Sequence, residues 1–254
     1  MPTVGEIFEF LNAKAPVSTK MDFDNVGLLV GDENWTVDTV LLSLDITADV
    51  VREAAALGAG LVVSHHPLFF GLKTVSSLDP QGKKAVDLLT ARIAAVCMHT
   101  NLDAADGGVN DALAAALGLR DAKPCEPEHV CRLGRLPEAQ SLADFLALVK
   151  NRLGCAGLRY ADGGKPVRLV AVGGGSCGSM LEETAATGCD TLVTADVKYD
   201  VFLRTKELGL NLIDAGHFNT ENVVIPVLAD WLRGGFPGLR VLISAHGQTE
   251  RYYV

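Results

Sequence analysis

The sequence predicts an α/β protein of two internally duplicated lobes, each a mixed sheet flanked by helices. Two observations carry this expectation. Short apolar runs alternate with amphipathic stretches along the chain, the pattern of strands alternating with covering helices. Three segments of the first half also recur, in the same order, in the second. The 254 residues are 48% apolar and 21% charged, a globular balance with chain enough for two cores.

The first recurring segment is "TVGEIFEFL" from Thr3, matched by "SLADFLALV" from Ser141. In each, Ser or Thr is followed three residues later by an acid and then by an apolar run at helical spacing. That is a capping-box start, so a helix is expected in both places. "MDFDNVGLLVGD", residues 21–32, reads as a loop entering a strand. A second reading puts Asp24 and Asn25 at the rim of a pocket.

The next pair is "LLSLDITADVVREAAALGAGLVVSHH" and "AVGGGSCGSMLEETAATGCDTLVTAD". Both read strand, polar turn, helix, glycine, strand. Gly58 falls on Gly188, Ser64 on Thr194, and His65-His66 on Ala195-Asp196. The third pair, "HTNLD" from His99 and "HFNTE" from His217, follows a short apolar run each time and opens a helical stretch. The offset between repeats shrinks along the chain, which places extra length in the first-half loop "LFFGLKTVSSLDPQ". The seam is expected at "RDAKPCEPEHVC", residues 120–131, rich in proline and charge. The lobes are therefore residues 1–125 and 126–254, with a C-terminal strand able to return and pack on the first lobe.

The net charge is -9. Nonspecific nucleic-acid binding needs a basic face and is not expected. A small anionic substrate remains compatible, because a bound cation reverses the local field. "MPTVGEIFEF" has no basic n-region, and no apolar stretch is long enough to span a membrane. Six cysteines at 97, 125, 131, 155, 177 and 189 form no C-x-x-C pair. A cytoplasmic protein with free thiols and no membrane partner is expected.

Histidine placement raises the chemical question. His65 and His66 end an apolar run and precede Pro67. Neighbours on a strand point to opposite faces, so they could each serve a different ion; equally, one could cap the turn while the other is solvated. His217 and Glu221 are four apart and can converge on one point at a helix start, unless Asn219 merely caps that helix. His99 and Asp103 repeat the spacing. Asp106 and Asp111 add carboxylates around Gly107-Gly108, in a spacing that is not an EF-hand, and Asp106 reads as a turn or helix cap.

Together, His65, His66, Asp103, His217 and Glu221 make five ligands. That is too many for one open catalytic zinc and suits two divalent ions, drawn from Zn, Mn, Fe, Co or Ni. His99 is a candidate for proton transfer or for supporting a ligand from behind. "AVGGGSCGSM" fits G-x-G-x-x-G through Gly173, Gly175 and Gly178, with Asp190 and Asp196 near the distance of a ribose-binding acid. The matching first-half segment lacks those glycines, so a tight turn lining a pocket is the stronger reading.

Taken in order, "DNVGLLVGD", "SHHPLFF", "HTNLDAADGGVNDALA", "GGGSCGSM", "TADVKYD" and "DAGHFNTE" resemble the GTP cyclohydrolase I type 2 homologue family, NIF-like proteins also described as dinuclear metal-centre hexamers. The resemblance covers the full chain. It implies two intertwined α/β repeats and a two-metal site between lobes, with ligands at His65, His66, Asp103, His217 and Glu221. It also implies a ring-shaped homohexamer. Ala195, Asp200 and Cys177 depart from the family pattern, and none is a proposed ligand. The activity it implies is metal-dependent hydrolysis of a small nucleotide-like or phosphorylated substrate. The alternative is a non-catalytic metal-binding, metal-insertion or scaffold ring.

Overall fold

The computed structural model describes residues 1–125 and 129–247. In chain order it contains α1 (Val4–Lys14), β1 (Gly27–Val30), β2 (Thr39–Ser43), α2 (Ala48–Leu57), β3 (Leu61–Ser64), α3 (Pro80–Thr90), β4 (Ala94–Cys97), α4 (Thr100–Ala104), α5 (Val109–Ala116), β5 (Arg120–Pro124) and β6 (Arg132–Gln140). There follow α6 (Leu142–Leu153), β7 (Arg159–Ala161), β8 (Val167–Val172), α7 (Leu181–Ala186), β9 (Thr191–Thr194), α8 (Tyr199–Glu207), β10 (Asn211–Asp214), α9 (His217–Glu221), α10 (Val224–Gly235) and β11 (Arg240–Ile243). This is a mixed α/β fold with two sheets flanked by helices.

The described chain forms two compact units. One is Met1–Ala105 with residues 225–247; the other is Asp106–Val224. The chain thus divides after Ala105 and again after Val224, whereas the sequence suggests a seam at 120–131. Composition there is exposed and charged, as a linker would be, but residues 120–124 are an edge strand whose side chains face water. Residues 126–128 of that segment lie outside the described residues.

In the first unit the strand order is β1-β4-β3-β2-β11. β4, β3, β2 and β11 run parallel, and β1 closes one edge antiparallel to β4. The inner strands "TVLLS", "LVVS" and "AAVC" are buried on both faces, as parallel strands between helices must be. Leu41, Val62 and Ala95 pack against Val50, Val51 and Ala54 of α2 and Ala85 and Leu88 of α3. Thr3 and Glu6 form the expected capping box on α1: Thr3 Oγ1 accepts from Glu6 N at 3.2 Å and Glu6 Oε2 from Thr3 N at 2.8 Å. Gly58 ends α2 at φ +68°, a left-handed conformation that glycine reaches without a Cβ penalty.

In the second unit the order is β5-β6-β8-β9-β10-β7. β8, β9 and β10 are parallel; β7, β6 and β5 pair antiparallel at the flanks. Alternate residues serve opposite faces. Val170, Val172, Val193 and Ile213 meet Leu113 of α5, Leu117 just past its end, and Phe145 and Val149 of α6. Ala171, Leu192 and Leu212 meet Leu181 of α7 and the partly buried Val201 and Phe202 of α8.

The two sheets repeat one plan. β2, β3 and β4 correspond to β8, β9 and β10; β1 and β7 are the matching antiparallel edges; α1 corresponds to α6, α2 to α7 and α4 to α9. The longer first-half loop falls where expected, at residues 65–79 against 195–198. The last helix of each repeat is exchanged. α5 follows the first three parallel strands yet packs in the second unit, and α10 belongs from Ile225 to the first. There Phe236 stands edge-on to Phe10 at 5.3 Å, and Gly235 lies so close to that ring that a Cβ would sit 2.6 Å from it. β11 then pairs with β2. No helix among the described residues is long and apolar enough to cross a membrane.

Candidate metal centre

Register sets the site in each unit. Ser43, Ser64 and Cys97 lie opposite one another, so β2, β3 and β4 end level. Beyond their carboxyl ends, where open parallel sheets bind ligands, the chain supplies Asp45 after β2, His65 and His66 after β3, and His99 after β4. Asp103 follows one turn into α4.

His65 is fully buried, and its Nδ1 lies 2.9 Å from the Met98 carbonyl oxygen. A carbonyl only accepts, so Nδ1 carries the hydrogen and Nε2 presents its lone pair. That Nε2 is 3.7 Å from Asp103 Oδ1. His66 Nδ1 is 2.8 Å from Asp45 Oδ1, and His99 Nδ1 is 2.8 Å from Asp24 Oδ1. The donor atoms of His65, His66 and His99 lie within 4.8 Å of one another. Three imidazoles thus meet in one place, each with its second nitrogen tied to an acceptor, the support that fixes metal-binding histidines.

Asp24 is the buried anchor. Its other oxygen accepts from Thr100 N at 3.0 Å and from the Thr100 hydroxyl. Burial alone would raise its carboxyl, but the hydrogen bonds from His99 and Thr100 outweigh that and hold it well below the usual carboxylate range. Asn25 donates Nδ2 to the Phe69 carbonyl at 2.8 Å. Both residues of the 21–32 loop singled out by sequence are therefore fastened to the loops that carry the histidines.

In the second unit, His217 opens α9 after β10, and Glu221 is one turn on. His217 Nδ1 is 2.7 Å from Asp196 Oδ2, and Nε2 is 2.9 Å from Glu221 Oε2. With the hydrogen on Nδ1, two lone-pair atoms face each other across 2.9 Å. A proton or a cation relieves that repulsion. Ligands at right angles on one six-coordinate ion with bonds of about 2.1 Å stand roughly 3.0 Å apart, so the spacing of this donor pair suits a divalent metal. Asp196 occupies the repeat position of His66: one repeat spends it on an imidazole, the other on the carboxylate that orients one.

The glycine loop is explained by the same geometry. Gly174 N donates to Asn110 Oδ1 at 2.7 Å and Gly175 N to Thr220 Oγ1 at 3.0 Å. Gly175 has φ +60°, and a Cβ there would press into Glu221 Oε1 and stand 3.2 Å from His217 Nε2. Asp190, one of the two acids that suggested a ribose contact, accepts from Arg168 N and Leu169 N. The loop's glycines make room for the donor pair, and its amides at 174 and 175 are already engaged.

The remaining candidates lie outside both groups of metal-type donors found among the described residues. Asp111 Oδ2 accepts from Gly107 N at 2.6 Å and its Oδ1 from Nε of the buried Arg132 at 2.7 Å. Asp106 is exposed in the turn before α5. His246 lies past the end of β11 and is exposed. The residues that sequence reasoning missed are Asp45 and the orienting role of Asp196. The repeat register pointed at Asp196, since it aligns with His66.

Comparison with known proteins finds relatives along most of the chain. Residues 2–249 match the family model described as Duf34/NIF3 (NGG1p interacting factor 3). The chain is 35% identical over 226 residues to the GTP cyclohydrolase 1 type 2 homolog of Clostridium perfringens, covering 86% of each. It is 34% identical to that of Streptomyces coelicolor, covering 100% of this chain and 91% of the other. The crystal structure of Staphylococcus aureus hypothetical protein SA1388 superposes with a TM-score of 0.92 at 26% identity, covering 100% of both chains. With its duplicated sheets and its histidines at the strand ends, the chain belongs to the Duf34/NIF3 family.

Proposed function

We propose that this protein is a metal-dependent hydrolase of a small nucleotide-like or phosphorylated substrate. In this reading His65, His66 and Asp103, together with His217 and Glu221, hold two divalent cations. The observation that carries it is the uniform imidazole arrangement: His65, His66 and His217 each engage an acceptor through Nδ1, which turns Nε2 toward the metal-ligand role, and His99 is anchored through Nδ1 in the same way beside them. Neutral imidazole and carboxylate donors without thiolate suit Zn, Mn, Fe, Co or Ni. The relatives' name, GTP cyclohydrolase 1 type 2 homolog, points the same way.

When bound, the ions would supply an activated water and charge stabilisation at the leaving oxygen. The chain's own part is orientation. Asp45, Asp24 and Asp196 fix ring tautomer and direction, and the Asp24–His99 pair can accept and return a proton beside the ligands. A ring-shaped homohexamer in the cytoplasm belongs to the same proposal.

Metal analysis and turnover test it together. Purified protein is expected to carry close to two ions per chain and to sediment as a hexamer. His65→Ala should lower the metal content. Glu221→Ala should lower metal-dependent turnover of GTP or simple phosphoesters by at least tenfold. Full metal occupancy without turnover of either class would favour a metal-insertion or scaffold protein instead.

A further inference from the structure

We propose that Phe23 and Phe70 form a stacking platform for a planar nitrogen heterocycle of the substrate. The inference rests on the hydrolase reading above and assigns the part of the molecule that reads the ring. Phe23 is 64% and Phe70 57% exposed, a large apolar area to leave in water. Their ring centroids are 6.2 Å apart with planes inclined at 45°. Phe70 also stands edge-on to His99 at 5.8 Å, and the His99 ring lies 5.1 Å from His65 and 5.6 Å from His66. The two phenyl rings are thus continuous with the imidazole set.

The rings sit on loops held in place. Met21 N donates to Thr100 Oγ1 at 3.0 Å, and Lys20 Nζ donates to the Asp24 carbonyl at 2.9 Å. Asp24 is bound to His99 and Thr100, and Asn25 to the Phe69 carbonyl. Both neighbours of Phe23 on its C-terminal side, and the neighbour before Phe70, are fixed by polar contacts to the site. A platform held this way loses little entropy when a flat ring stacks on it. A ring-bearing phosphate ester or anhydride offers both features, oxygens to cations and a π-face to phenyl rings. Stacking is tolerant of ring identity and grows with ring area, so preference should follow size more than hydrogen-bonding pattern.

The test is equilibrium binding to the Mn²⁺-loaded full chain, with GTP, UTP and inorganic tripolyphosphate as probes. Wild-type affinity is expected to rise from tripolyphosphate to UTP to GTP. The Phe23→Ala/Phe70→Ala double variant should bind GTP about tenfold or more weakly, the scale of a lost base–aromatic stack, with tripolyphosphate affinity unchanged. Phe70→Trp should keep the ring preference. Wild-type affinity that does not rise with the ring, an equal loss for all three probes, or unchanged GTP affinity in the double variant would overturn the proposal. Dissociation of the assembly in that variant with GTP affinity intact would overturn it too, and assign the rings to contact between copies. Ring-dependent binding without turnover sinks the hydrolase reading and leaves the platform standing; turnover that ignores both rings does the reverse.

Discussion

Gly175 shows how closely single residues define the donor pair. Its φ of +60° and its nearness to Glu221 and His217 leave no room for a methyl group. Gly175→Ala should cost about 1–3 kcal/mol in backbone strain. The added methyl group would displace the Glu221 carboxylate, so in the proposed reading the larger effect should be a loss of metal, read by elemental analysis beside a melting curve. Asp24 gives a pH signature. Its carboxyl is lowered in the folded state, so its stabilisation is complete above the unfolded-chain value near 3.9 and is lost as pH falls toward the folded value. The stability gap between wild type and Asp24→Asn, measured by denaturant unfolding, should be wide at pH 7 and narrower at pH 3. Burial pushes the Cys155 and Cys189 thiols up to about 11. Both should react with thiol reagents at pH 8 far more slowly in the folded protein than in denaturant.

At the scale of elements, the exchanged helices make a sharp prediction. Leu113 lies on α5 and is buried against β8, β9 and β10. Leu113→Ala should cost about 2–5 kcal/mol. Hydrogen exchange should show the amides of β8–β10 losing protection ahead of those of β2–β4, although α5 follows β4 in the chain. Sequence reading reached the strands and most helices because their signals are local. Thr3 with Glu6 and Ser141 with Asp144 announce helix starts, Gly58 and Gly188 mark helix ends, and continuous apolar runs mark strands buried on both faces. It did not reach the exchange, because an amphipathic helix records that it has an apolar face and not which sheet that face meets. The histidines were legible from their positions after apolar runs. Asp45 was not: it is one acid in a turn, tied to His66 by a contact that twenty-one residues of sequence separate.

For the whole molecule, the first unit is discontinuous. Removing everything after Val224 deletes α10 and β11, strips β2 of a parallel neighbour and uncovers Phe10. A chain ending there should fail to fold the first sheet cooperatively while the second retains protected amides. In the proposed reading, bound metal is a ligand of the folded state. Stripping ions held at a hundred times their dissociation constant should remove about 2.7 kcal/mol, visible as a lower melting temperature that added Mn²⁺ restores.

The returning C-terminal segment has a consequence for synthesis. Residues 1–105 leave the ribosome first, yet the sheet they begin lacks its outermost strand until Ile243 has been translated. Among the described residues, all six strands of the second sheet have been made by Asp214. At translation speeds of about 5–20 residues per second, the nascent N-terminal part waits for seconds with the flank of β2 uncovered. The sheet whose strands are made second can form first, while the flank of β2 stays unpaired until β11 arrives.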